Sequence, residues 1–219
     1  MSDAAVALAL VFAIALPACG AAGPRRATVR TTDPSSYPCV LHAPGTLSPD
    51  FSVHQSLILR ARRDGRPVEG ELDAVVQKQG DTLLIVGLGP MNVRYFTLRH
   101  QGELIEFAQD AGPSLPVSPR DIVADVHRVF FKRLPAPAPD YTGVLEGVLD
   151  DEAVSETWQG GALRVREFTR PGSAFRGAVR VEFGAGCTAA ACQPETVHLR
   201  NDWFDYTLEL SNDSYEVLE

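Results

Sequence analysis

Residues 53–108 read VHQSLILRARRDGRPVEGELDAVVQKQGDTLLIVGLGPMNVRYFTLRHQGELIEFA. Leu57, Leu59 and Ala61 alternate with Ile58, Arg60 and Arg62, the period of a half-buried strand. Arg63-Asp64-Gly65-Arg66-Pro67 is a turn, and Val68, Leu72, Ala74 and Val76 fall in phase on a second strand over 68–78. Gln79-Gly80-Asp81 turns the chain again. Thr82–Leu88 is continuously apolar, the pattern of a strand buried on both faces. Gly89-Pro90-Met91-Asn92 forms a tight loop. Val93–Arg99 and Leu104–Ala108, divided at Gln101-Gly102, complete a meander of five strands.

Downstream, one helix stands out. Ser118 suits its N-cap, Pro119 its first position, and Asp121 its first turn, where the helix dipole favours an acid. Ile122, Val123, Val126, Val129 and Phe130 make an apolar stripe at helical spacing, and Lys132 and Arg133 close the last turn. The alternating prolines of 134–139 stop the helix. His127 lies among polar neighbours and is expected at the surface. Strands return at 153–158, 162–169, 174–183, 195–200 and 203–211, broken by Gly160-Gly161, Pro171-Gly172 and the Cys187–Cys192 loop; 144–149 is ambiguous. The whole reads as mainly antiparallel β with one main amphipathic helix between two sheet halves.

Upstream, residues 4–16 (AAVALALVFAIAL) are too short to span a bilayer comfortably and match the apolar core of an export signal. The run ends in Leu16-Pro17-Ala18-Cys19-Gly20, which resembles a bacterial lipobox, so residues 1–18 are expected as a lipoprotein signal peptide and Cys19 as the lipidation site, carrying palmitate-type acyl chains. Residues 19–50, rich in Ala, Gly, Pro, Ser and Thr, are expected as a flexible tether, and 51–219 as one domain. The 219 residues carry 20 basic and 28 acidic side chains, a formal net charge of -8 that argues against binding nucleic acid through its phosphates.

Catalytic signatures are missing. The chain has no nucleophile elbow, phosphate loop, HExxH or dinucleotide fingerprint, and no cofactor is expected. Asp150-Asp151-Glu152 reads as a solvated turn in preference to a weak cation site, and Glu71 and Asp73 as the solvent side of a half-buried strand in preference to an acid–base pair. An oxidising envelope permits a disulfide. Cys187–Cys192 is the expected pairing, with pairings through Cys39 and a metal site recruiting His198 as alternatives.

Several fragments, taken in order, carry a resemblance. They are His54-Gln55-Ser56-Leu57, Leu72-Asp73-Ala74-Val75-Val76, Val86-Gly87-Leu88-Gly89-Pro90, Arg94-Tyr95-Phe96-Thr97-Leu98, Ile122-Val123-Ala124-Asp125-Val126 and Asp205-Tyr206-Thr207-Leu208. Over about residues 53–211 the chain resembles a family of uncharacterised bacterial lipoproteins encoded beside aryl-polyene and fatty-acid-type biosynthesis genes, itself similar to the LolA/LolB lipoprotein carriers. The resemblance implies a half-open antiparallel β-barrel, the helix closing one side over an apolar cavity that takes acyl chains. Leu57, Leu59, Leu72, Ala74, Val76, Ile122, Val126, Val129 and Phe130 are the expected cavity residues. In LolB-like carriers a hairpin tip presents an apolar residue to the bilayer, which implies the same for Leu88 and Met91. The expected partners are membrane lipid or lipoprotein acyl chains and the outer membrane, on its periplasmic side. The alternative is a non-catalytic scaffold lipoprotein of an envelope biosynthesis or transport complex.

Overall fold

The computed structural model describes residues 25–30, 39–63, 65–112, 115, 117–170 and 177–218. The export signal, the lipobox and Cys19 lie outside them, as does the Pro171-Gly172 turn.

Twelve strands run in chain order: β1 (Arg25–Arg30), β2 (Phe51–Arg63), β3 (Arg66–Gln79), β4 (Thr82–Leu88), β5 (Arg94–Gln101), β6 (Leu104–Gln109), β7 (Gly143–Leu149), β8 (Glu152–Gln159), β9 (Ala162–Thr169), β10 (Val179–Phe183), β11 (Thr196–Asn201) and β12 (Tyr206–Val217). They form one sheet in the order β1-β6-β5-β4-β3-β2-β12-β11-β10-β9-β8-β7, every pairing antiparallel. The sheet is not closed: β1 and β7 are its edges. Two meanders, β2 to β6 and β7 to β12, join through the long β2–β12 pairing, where Leu57 faces Leu210 and Leu59 faces Leu208.

Two strands exceed the ten expected. The ambiguous segment 144–149 is β7. Part of the expected tether is β1, whose Arg25-Arg26-Ala27-Thr28-Val29-Arg30 pairs along β6. Its side chains are largely exposed, so its place is held chiefly by backbone hydrogen bonds and carries no apolar period to read. Cys39, also in that segment, is buried. β4 departs from expectation as well. Leu83, Ile85 and Gly87 are buried while Leu84, Val86 and Leu88 are only partly so, because one face alone lies against the interior.

Helix α1 (Pro119–Val126) crosses the concave face between β6 and β7 and continues as one wide π turn, His127–Phe131. Its start is set by a capping box. The Ser118 hydroxyl accepts from the Asp121 amide at 3.3 Å, and the Asp121 carboxylate accepts from the Ser118 amide at 3.4 Å, an arrangement worth about 1 kcal/mol. The wide turn closes when the Lys132 amide donates to the His127 carbonyl at 2.7 Å. The helix splits the interior into two apolar clusters. Val123 packs with Phe51, Val76, Ile85 and Leu98, whereas Ala124 and Val129 pack with Leu134, Trp158, Phe168 and Leu199.

Candidate functional site

Between the helix and the β2–β3–β12 part of the sheet lies a cavity of about 100 Å³. A single water needs only about 10–15 Å³ on the same measure, so the space holds several. Alternate residues of β2 (Leu57, Leu59) and of β3 (Leu72, Ala74, Val76) line it, as period-2 geometry requires. From the helix come Ile122, Val126, Val129 and Phe130. All nine residues expected from the sequence therefore meet around one space. The sequence reading missed Leu199, Leu208 and Leu210, although Leu208 and Leu210 alternate along β12 in the same way.

The wall also depends on Gly87. A Cβ there would sit 2.2 Å from the Phe96 ring, so only glycine lets that ring lie flat on the sheet at the cavity wall. Leu57, Leu59, Leu72 and Leu208 are half-buried, whereas Val76, Leu199 and Leu210 are buried. The half-buried leucines mark the side on which the cavity meets solvent. Among the described residues, Gln55, Asp125 and Tyr206 alone bring polar side-chain atoms to the lining. The Tyr206 hydroxyl donates to the Asp125 carboxylate and accepts from Asn201 Nδ2 at 3.0 Å. Burial, reinforced by the Asp125 charge, holds Tyr206 well above the ordinary tyrosine range, so it stays a protonated donor.

A network of buried ions fixes the helix on its other side. Arg128, wholly buried, donates to Glu152 at 2.6 Å and lies over the Phe168 and Trp203 rings. Lys132 donates to Glu152 at 3.3 Å and to Asp150 at 2.7 Å. Arg166 donates to Glu156 at 2.7 Å and to the Arg128 carbonyl at 3.0 Å. These contacts correct the reading of 150–152 as a solvated turn at Glu152 alone: Asp150 and Asp151 do form a turn, and Asp150 is exposed. Glu152 is buried, and Asp150 also meets the His42 ring at 3.1 Å. The missed signal is that Glu152 and Glu156 share a strand face with Val154 and Trp158.

His127 is likewise corrected from surface to interior. It is wholly buried beside His100 (ring centroids 5.8 Å apart) and neither of its ring nitrogens has a hydrogen-bond partner. Burial, with help from His100, pushes its pKa down to about 3. Its folded pKa is thus depressed below the ordinary 6.5. As pH falls below that value, the unfolded chain takes up a proton that the folded chain refuses. Stability is fully present above about pH 6.5 and falls by about 1.4 kcal/mol per pH unit below it. His127→Phe should remove about one proton's worth of this slope between pH 6 and 5. Urea unfolding at several pH values checks this; parallel slopes for the two proteins would contradict it.

The β4–β5 tip carries Met91, 93% exposed, in a left-handed backbone conformation with φ 59°. Val93 beside it is 44% exposed and Leu88 is half-buried. In register, Leu88 at the end of β4 faces Asp73 of β3, and Leu72 is the next residue beyond it. The tip and the half-buried leucines thus share one end of the sheet.

Other candidates do not assemble. Glu71 and Asp73 point to solvent, where Asp73 accepts from the Ser56 hydroxyl at 2.9 Å. Among the described residues no three His, Cys, Asp or Glu side chains gather to hold a metal ion, and no helix is long and apolar enough to cross a membrane. Cys187 and Cys192 are joined in a disulfide, their Cα atoms 3.8 Å apart, nearer than the span of about 4.4–6.8 Å usual for such bridges. Cys39 is a free, buried thiol that burial pushes up to about 11.

No curated protein matches the chain. Solved structures similar to it include three from different bacteria. A LolA superfamily protein from Nitrosomonas europaea is 12% identical, with 81% of this chain and 90% of that one covered, at a TM-score of 0.42. A structure described as an outer membrane lipoprotein-sorting protein domain, from Vibrio parahaemolyticus, is 11% identical, with 78% and 87% covered, also at 0.42. A DUF1329 family protein from Desulfovibrio piger is 12% identical, with 80% and 87% covered, at 0.36. A family model matches residues 52–214, three-quarters of the sequence, and the chain belongs to that family, described as Protein of unknown function (DUF3261).

Proposed function

We propose that this protein is a lipid-handling carrier: it holds an acyl chain in the cavity beneath α1 and exchanges it with the outer membrane, to which Cys19 anchors it on the periplasmic side. The observation that carries this reading is the cavity lining, among the described residues apolar except at Gln55, Asp125 and Tyr206, with half-buried leucines at its edge. Each methylene moved from water into such a space is worth about 0.8 kcal/mol. A chain partly enclosed there is therefore held against return to water, and a bilayer can still take it back. Among the described residues the lining holds no Ser, Thr, Cys, Lys or His, and its one hydroxyl beside a carboxylate, Tyr206, is held protonated, which supports binding without chemistry. The alternative of a scaffold predicts a filled interior, and the open, apolar lining favours the carrier.

Met91 supplies the membrane contact in this reading. An almost fully exposed methionine on a tight loop loses apolar surface to water unless it meets a lipid interface. Met91→Glu is expected to slow transfer of a fluorescent alkyl probe from the protein to phospholipid vesicles by about tenfold, with melting temperature and probe affinity unchanged. Equal transfer rates would remove Met91 from the mechanism. Absence of saturable probe binding to the wild-type chain would remove the carrier reading itself.

A further inference from the structure

Strand β1 limits how far the domain can stand from its expected anchor. Cys19 is followed by five residues, Gly20-Ala21-Ala22-Gly23-Pro24, before β1 begins at Arg25. Fully extended, that stretch reaches at most about 20 Å. A free tether over all of 20–50, as the sequence alone suggests, would reach about 100 Å. Pairing of β1 with β6 from Arg25 to Arg30 removes that slack.

The direction of β1 decides which end of the sheet faces the anchor. Arg25 faces Gln109 of β6, Gln109 faces Phe96 of β5, and Phe96 faces Gly87 of β4. The start of β1 and the end of β4 therefore lie in one row, three strand spacings or about 14 Å apart. Gly87 leads directly into Leu88 and the Met91 tip, and on its other side faces Ala74 of the cavity lining. Arg30, at the far end of β1, faces Leu104 beside the β5–β6 turn. The chain from Cys19 thus enters the sheet at the end that carries Met91, Val93 and the half-buried leucines.

The β2–β3 hairpin also extends toward this end. Its exposed side chains there are mainly charged (Arg60, Arg62, Arg66, Glu69 and Glu71), which suits water or headgroups. The β4–β5 loop from Gly89 to Val93 carries no charge, and its Met91 and Val93 are exposed.

We infer that β1 is a short orienting anchor: it holds the Met91 tip and the cavity edge against the phospholipid bilayer that carries Cys19, so that the protein exchanges lipid with its own anchoring membrane in preference to any other. This rests on the carrier reading and the lipidation of Cys19 proposed above, and adds an orientation and a reach to them.

The test uses the acylated full chain in vesicles of phosphatidylethanolamine and phosphatidylglycerol. An environment-sensitive fluorophore is placed at Met91→Cys or, at the opposite end of the sheet, at Glu103→Cys; Cys39 is buried and the other two described cysteines are bridged. The label at 91 should be quenched by nitroxides on the lipid acyl chains and the label at 103 only by aqueous iodide. A fluorescent alkyl probe loaded on the otherwise native chain should pass faster into its own vesicle than into a second, protein-free population. A Gly-Ser linker of about twenty residues inserted between Pro24 and Arg25 should lower that ratio about fivefold, because a longer leash dilutes the site at its own membrane, with melting temperature unchanged. A label at 91 that stays in water, or a ratio that the linker leaves unchanged, overturns the inference. An unmodified Cys19 by intact mass overturns instead the anchoring reading, and absence of saturable probe binding the carrier reading.

Discussion

Replacing Arg128 by methionine is expected to destabilise the fold by about 3–5 kcal/mol, the usual consequence of removing one partner from a fully buried ion pair. Arg128 and Glu152 have no exposed side-chain surface, and their 2.6 Å hydrogen bond ties the π turn of the helix to β8. Without the guanidinium, Glu152 retains only Lys132, at 3.3 Å. The methionine preserves much of the packing against Phe168 and Trp203 but none of the charge. Since whole domains are stable by about 5–15 kcal/mol, the variant sits near the limit of folding. Removing both charges, in Arg128→Met with Glu152→Leu, should recover part of the loss, because the buried glutamate is no longer stranded, while Lys132 keeps Asp150 and Asp125 still lacks its 3.8 Å contact to Arg128. Urea unfolding of wild type, single and double variants checks this. A single-variant loss below about 1 kcal/mol would mean that the network behaves like a surface pair.

The second large effect concerns the cavity. Leu57 is half-buried at its edge and faces Leu72 and Leu210, both also lining residues. Leu57→Trp places an indole where the chain would lie. If the ring excludes about three methylenes at 0.8 kcal/mol each, binding weakens by about 2.4 kcal/mol, or roughly fifty-fold. Because Leu57 is partly open to solvent, strain should stay near the low end of the range of about 1–3 kcal/mol for overpacking. Titration with dodecanol gives the affinity, and thermal melting shows that the fold survives. An affinity within twofold of wild type would place the ligand elsewhere.

Both predictions draw on features that the sequence exposes unequally. The two apolar faces that line the cavity were legible as periods, whereas the cavity between them was what the family resemblance implied. Leu57, Leu59, Leu72, Ala74 and Val76 repeat every second residue, while Ile122, Val126, Val129 and Phe130 repeat at helical spacing, and apolar faces must be buried together. The helix start was legible for local reasons, since Ser118, Pro119 and Asp121 act within one turn of one another. The ion network was not. Arg128 lies 24 positions from Glu152 and Glu156 ten from Arg166, so no local pattern announces their pairing, and charged residues ordinarily face water. His127 was misplaced for a related reason. The curved sheet covers the helix on more than its apolar stripe, so Arg120, Asp121, Asp125 and His127 are buried as well. β1 was hidden because an edge strand held by its backbone needs no apolar side chains.

The most direct test of the carrier reading is mass spectrometry of organic extracts from the full chain purified from its native envelope, with Leu57→Trp prepared in parallel. Extraction leaves the covalent anchor on the protein and releases whatever the cavity holds. Acyl- or alkyl-chain lipid is expected at close to one molecule per wild-type chain and at a small fraction of that in Leu57→Trp. Equal amounts from the two proteins, or none from the wild type, would contradict the account.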